Sequence, residues 1–136
     1  MGEKMDKIVK RIIATKTAPE PIGPYSQAVV ADKTVYVSGC LGVSLETGKL
    51  VDGGAKEQAE TALTHLKNVL RASGSNMNNV VKTTVFLQDF NDFPTVNQVY
   101  KEAFVRNFPA RSCVQVAKLP MGALVEIEAI AVAGEN

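Results

Sequence analysis

The segment Leu124–Val132 (LVEIEAIAV) constrains this chain more than any other stretch. Its aliphatic and β-branched residues, free of Gly and Pro, read as a long strand. Side chains alternate along a strand, so Val125, Ile127 and Ala129 share one face while Glu126 and Glu128 share the other. The fold must therefore contain a sheet with one face to bury and a second face that carries two carboxylates.

Other elements assemble around that strand. Ile8–Ile13 reads as a first strand, and Ala28–Ala31 with Thr34–Val37 as a hairpin turning at Asp32-Lys33. Between them Thr17–Pro24 (TAPEPIGP) holds three prolines and forms an irregular, stiff connector. Gly39, Gly42, Gly48, Gly53 and Gly54 punctuate a loop after the hairpin. In Ala55–Ala72, apolar residues including Ala59, Leu63, Leu66 and Leu70 recur at helical spacing, and Gly74 stands where a C-terminal cap falls. A second helix runs over Phe93–Val105, with Asp92 as N-cap, Pro94 in its first turn, and Phe93, Val96, Tyr100, Ala103 and Phe104 on its apolar face. Val80–Leu87 and Ser112–Ala117 add strands. The order predicts an α+β fold, a sheet with both helices covering one face.

Alternation in Ser112–Ala117 sets Val114 and Val116 against Arg111, Cys113 and Gln115. With the apolar sets under the helices, the other face collects Arg111, Glu126 and Glu128 beside Leu124 and Ile130. Ionised groups among exposed aliphatics suit packing against another copy of the chain, with the charges lining crevices between subunits.

Composition removes whole classes of chemistry. A chain of 136 residues suits one domain, residues 1–136, with residues 1–8 as a flexible basic N-terminal arm. The formal net charge of +1 lacks the excess of a general nucleic-acid or membrane binder. One histidine, His65, gives no imidazole pair, and as a helix-surface or boundary residue it is not read as catalytic. Cys40 and Cys113 cannot build a four-thiolate metal site, and they read as two free thiols, with a single disulfide as the alternative. No phosphate-binding loop is present, and no apolar run is long enough to span a bilayer. The N-terminus has no secretory pattern, so the expected location is cytoplasmic, with a mitochondrial or nuclear fraction left open.

A site must then use Arg, Glu, Tyr, Asn and backbone amides. Arg111, in Pro109-Ala110-Arg111-Ser112-Cys113, presents a fork of donors suited to a small carboxylate. Its alternative is a structural pair with Glu126 or Glu128 on a neighbouring strand. Tyr25 offers a phenol or an aromatic anchor, and Cys113 has no imidazole neighbour to make it a nucleophile.

Six motifs carry a family resemblance. Gly23–Ala28 (GPYSQA), Val37-Ser38-Gly39, Val81–Leu87, Asn91-Asp92-Phe93 with Val96-Asn97 and Tyr100, Phe108–Cys113 (FPARSC) and Glu126–Ala131 together resemble the RidA (YjgF) family, over roughly Val9 to Val132. The resemblance implies a chorismate-mutase-like mixed sheet with two helices on one face, assembled as a homotrimeric barrel with sites between subunits. It implies hydrolysis of 2-iminoacids and enamines (2-iminobutanoate, 2-iminopropanoate) to 2-oxoacids and ammonia, with no metal or organic cofactor. By motif, Arg111 binds the carboxylate, Glu126 positions the attacking water, and Tyr25, Gly39, Asn97 and Cys113 shape the pocket. Cys40 departs from the family, in which many members have Gln.

Two other readings stand beside it. Animal members of this family are described as single-strand endoribonucleases or translation inhibitors, and an oligomer with aliphatic surface also suits a non-catalytic, holdase-like interaction protein. Sequence support for RNA is thin: Lys4, Lys7, Lys10 and Arg11 form a modest local cluster, which reads as a solvated basic arm.

Overall fold

The computed structural model describes residues 5–135. Residues 1–4 of the expected arm lie outside the described residues, and residues 5–8 run as exposed chain without regular structure. One six-stranded sheet has the order β1 (Lys10–Ile13), β2 (Ala28–Ala31), β3 (Thr34–Leu41), β6 (Val125–Val132), β4 (Val80–Leu87), β5 (Ala110–Gln115). All neighbours are antiparallel except β4 and β5. Those two run parallel because α2 (Phe93–Phe104) carries the chain back between them.

The segment with the clearest alternation occupies the middle of the sheet. In β6, Val125, Ile127, Ala129 and Ala131 are buried, whereas Glu126 is half-buried and Glu128 exposed. Their buried face joins α1 (Ala55–Ala72) and α2 in one core, where Leu63, Leu66 and Leu70 meet Val35, Val85, Ile127 and Tyr100. Leu66 is wholly buried, and truncating such a leucine to alanine costs about 2–5 kcal/mol.

Local chemistry places α1. The Glu57 carboxylate accepts from Gly54 N–H at 3.0 Å, the return half of a capping box. At the next residue, Gln58 Oε1 accepts from Leu124 N–H at 2.8 Å and ties the helix to the start of β6. At the other end Gly74 takes φ +77°, and Ser75 N–H returns to Leu70 C=O at 2.8 Å. That is the glycine-terminated helix expected from the sequence.

The proline connector is stiffened by one amide. Gln27 is buried, its Oε1 accepts from Thr15 N–H at 2.7 Å, and its Nε2 donates to Thr15 and Pro19 carbonyls at 3.0 and 2.8 Å. Tyr25 is thereby held at the end of a fixed segment.

Four expectations are corrected. The hairpin strand does not stop at Val37. β3 runs to Leu41 because the long β6 offers partners Ile127 and Glu126 to Cys40 and Leu41, after a register shift between Val37 and Cys40. Gly39 is therefore inside a strand, not in a loop. Asp92 occupies the N-cap position without a side-chain cap bond. The capping carboxylate is Asp89, which accepts from Asn91 N–H at 2.8 Å in the preceding 3₁₀ turn. His65 is buried, with Nε2 2.6 Å from Val43 C=O, because Val43 folds over α1.

The fourth concerns Arg111. It opposes Thr83 in the parallel ladder, and Cys113 opposes Val85. Both partners are buried beneath the helices, so Arg111 and Cys113 face α2 and not the glutamate face. Val114, expected under the helices, lies on the open face, 41% exposed. Pairing register overrode local hydrophobicity at this edge strand.

Candidate functional site

Among the described residues, the candidate side chains fall into two separate clusters. Phe93, Asn97 and Tyr100 lie on one stripe of α2, at spacings of four and three. All three meet Arg111. Its Nη1 donates to Asn97 Oδ1 at 2.6 Å, and its Cζ lies 4.8 Å from the Tyr100 ring centroid and 5.5 Å from that of Phe93. Among the described residues its partners are thus an amide and two ring faces, none of which neutralises its charge. A cleft of about 430 Å³ opens here, lined by Asn97, Tyr100, Lys101, Phe108, Pro109 and Arg111.

Cys113 follows two residues on along the same face. Its thiol is pushed up by burial, an effect partly opposed by the nearby Arg111 charge. The Tyr100 phenol is also raised, by burial above all, with its Thr83 hydrogen bond and Arg111 pulling the other way. Tyr100 is therefore a neutral donor or acceptor near pH 7.

The second cluster lies around Gly39. A side chain there would meet Glu126, since a Cβ built on Gly39 would stand 2.6 Å from Glu126 Cδ. The glycine makes room for the carboxylate. Glu126 is raised above the ordinary glutamate range, first by burial and then by the like charge of Glu128. A cavity of about 460 Å³ adjoins, with Tyr25, Ser38, Gly39, Cys40, His65 and Met121 in its walls. Cys40 is buried, its pKa pushed up to about 12 by burial and then by Glu126, so its thiol is inert at neutral pH.

The six residues singled out in the sequence therefore divide. Arg111, Asn97 and Cys113 gather against α2, whereas Gly39 meets Glu126 on one side and shares with Tyr25 the wall of a cavity that Glu126 does not line. The alternative of an Arg111–Glu126 or Arg111–Glu128 pair on neighbouring strands is overturned, because β4 lies between β5 and β6. Sequence reasoning missed the rings of Phe93 and Tyr100 as contacts of Arg111 and took them only as an apolar face. Their shared stripe with Asn97 was the available signal. Among the described residues, no group of three His, Cys, Asp or Glu side chains is placed to hold a metal ion, and no helix is long and apolar enough to cross a membrane.

Endoribonuclease L-PSP is the family whose description matches this chain, over residues 15–133. The chain belongs to that family. The RidA (YjgF) resemblance of its motifs is the same assignment. This L-PSP chain is 60% identical over 130 residues to the RutC family protein UK114 of Drosophila melanogaster, covering 96% of this chain and 94% of that one. It is 52% identical over 130 residues to the human 2-iminobutanoate/2-iminopropanoate deaminase, covering 96% and 95%. Among solved L-PSP-like structures, E. coli TdcF with bound serine superposes with a TM-score of 0.87 at 42% identity, covering 91% of this chain and 99% of that one. A putative endoribonuclease from Thermotoga maritima superposes with a TM-score of 0.89 at 46% identity, covering 93% and 100%. The mixed sheet and its two helices are thus the architecture of L-PSP relatives.

Proposed function

We propose that the chain hydrolyses reactive 2-iminoacids and their enamine tautomers, 2-iminobutanoate and 2-iminopropanoate among them, to 2-oxoacids and ammonia. The observation that carries this reading is Arg111, a guanidinium fork pinned by Asn97 and two rings yet left without a carboxylate partner among the described residues. Such a fork suits a small carboxylate. The deaminase names of the human and bovine relatives, at 52% and 55% identity, supply the substrate class.

The chemistry asks little of the protein. With the carboxylate on Arg111, water adds to the electrophilic C2 of the imine. Glu126 takes one proton of that water and passes it to the nitrogen, giving the tetrahedral amino alcohol. It then takes the hydroxyl proton of the adduct and passes that to the nitrogen as well, so that the C–N bond breaks, ammonia leaves and the C2 carbonyl forms. The raised basicity of Glu126 suits a group that accepts and returns a proton near neutral pH. Positioning supplies most of the remaining rate.

Arg111 and Glu126 of one chain face opposite sides of the sheet, so the working site pairs Arg111 of one copy with Glu126 of another. The open face supports such an assembly. Ile12, Val29, Tyr36 and Ile130 follow one another across β1, β2, β3 and β6 in register, and Ile12 and Tyr36 are 60% and 50% exposed. A homotrimer closing these faces into a barrel buries that row and brings the half-sites together. RNA cleavage, the alternative reading, would have to proceed without an imidazole, since the one histidine is buried against Val43.

The test couples a pyridoxal-phosphate-dependent threonine or serine dehydratase to its substrate and traps the released imine with semicarbazide. The purified protein suppresses the trapped product, and Arg111→Ala abolishes the suppression while fold and assembly are kept. Equal suppression by wild type and Arg111→Ala contradicts the site.

A further inference from the structure

We infer that Tyr100, held by Thr83, is a positioning residue that fixes the plane of the Arg111 guanidinium. The inference rests on the proposed carboxylate-binding role of Arg111. Thr83 and Arg111 are partners in the parallel β4–β5 ladder, so their side chains leave the sheet side by side on one face. Tyr100 spans both. Its hydroxyl lies 2.7 Å from Thr83 Oγ1, and its ring lies beneath the Arg111 guanidinium, 4.8 Å from Cζ.

Each part of this arrangement has a physical reason. Thr83 is wholly buried and Tyr100 nearly so, and two buried hydroxyls must satisfy each other or lose their hydrogen bonds. Their bond sets the tilt of the ring, against which Phe104 also packs, with centroids 4.6 Å apart. An arginine side chain has several rotatable bonds, and a point contact at one end leaves the guanidinium plane free to swing. Asn97 supplies that point contact through one nitrogen. The Tyr100 face supplies the plane, since guanidinium groups stack on aromatic faces. A phenylalanine would give the face without the fixed tilt. Thr83 therefore acts on a carboxylate at second hand, through the ring and then the guanidinium.

The experiment compares Thr83→Val, Thr83→Ser and Tyr100→Phe in the full chain. The Val replacement keeps the shape of Thr83, and the Ser replacement keeps its hydroxyl. Two readouts are taken: the NMR shift of Arg111 Nε–H, which the ring currents of Tyr100 and Phe93 displace, and the affinity for 2-oxobutanoate, used as a carboxylate probe. In Thr83→Val and Tyr100→Phe the Arg111 resonance moves toward the free-arginine position and the Kd rises by roughly threefold to tenfold. Thr83→Ser restores both. In the trapped-imine assay the same variants raise KM more than they lower kcat. Variants that lose thermal stability but keep the Arg111 shift and the Kd of wild type overturn the inference. Should the wild type bind no 2-oxobutanoate, the carboxylate reading of Arg111 fails, and the Arg111 shift alone still decides whether Thr83 and Tyr100 orient the guanidinium.

Discussion

Arg111 and Glu126 leave the same sheet by opposite faces, with β4 between their strands. Arg111 opposes the buried Thr83, whereas Glu126 opposes Phe86 on the open side. No rotamer change brings the two together within one chain. A chemistry that uses both must therefore recruit a second copy, and the proposed account rests on that geometry.

Glu126 works as a carboxylate in this account, so activity falls as the pH drops through its folded-state pKa. Burial first, and the charge of Glu128 second, hold that pKa above the ordinary glutamate value. Glu128→Gln removes the second cause and lowers the pKa of Glu126. The acid limb of kcat/KM against pH, measured with the trapped imine, therefore moves to lower pH in Glu128→Gln. A limb that stays in place or moves upward contradicts the assignment of Glu126.

Two glycines of β3 and the segment just after it separate function from stability. A methyl on Gly39 would collide with the Glu126 side chain, which can swing away. Gly39→Ala therefore keeps the fold but displaces the carboxylate, with a loss in kcat/KM on the order of 100-fold. A methyl on Gly42 would stand 2.5 Å from Gln58 Cα, part of the α1 backbone, which cannot swing. Gly42→Ala costs about 1–3 kcal/mol of stability. Thermal melts and imine assays on the two variants check both outcomes, and equal stability losses would contradict the distinction.

These residues also show how much the sequence reveals. The alternation of Val125, Glu126, Ile127 and Glu128 reads correctly because a central strand with one covered face leaves its period in the residues. The Ala55–Ala72 helix and its Gly74 terminus read correctly for a similar local reason. Arg111 does not. The face it takes is set by pairing with Thr83 across a crossover helix, and the β5 residues themselves carry no trace of it. Gly39 reads as loop because glycine punctuates loops, yet tertiary pairing with a long neighbour holds it in a strand. His65 reads as a boundary residue because its partner, the Val43 carbonyl, is backbone and leaves no mark in the sequence.

The two thiols differ in reactivity. At a pKa of about 12, Cys40 at pH 8 is ionised in only about one molecule in ten thousand. Cys113 is also raised by burial, but the Arg111 charge opposes that rise. Native protein treated with iodoacetamide at pH 8 is expected to be modified at Cys113 before Cys40, as read by peptide mass spectrometry. Arg111→Met removes the opposing charge and slows Cys113. Prior modification of Cys40 would contradict the buried placement of its side chain.

Subunit complementation tests the shared site most directly. Arg111→Ala and Glu126→Gln chains, each inactive alone, are unfolded together and reassembled as mixed trimers. Where an interface takes Arg111 from one kind of chain and Glu126 from the other, an intact site returns, and random mixing restores about one site in four. The account predicts imine-hydrolysing activity near that level in the mixture and none in either parent. A mixture as inactive as its parents, with mixed trimers confirmed by native mass spectrometry, would contradict it.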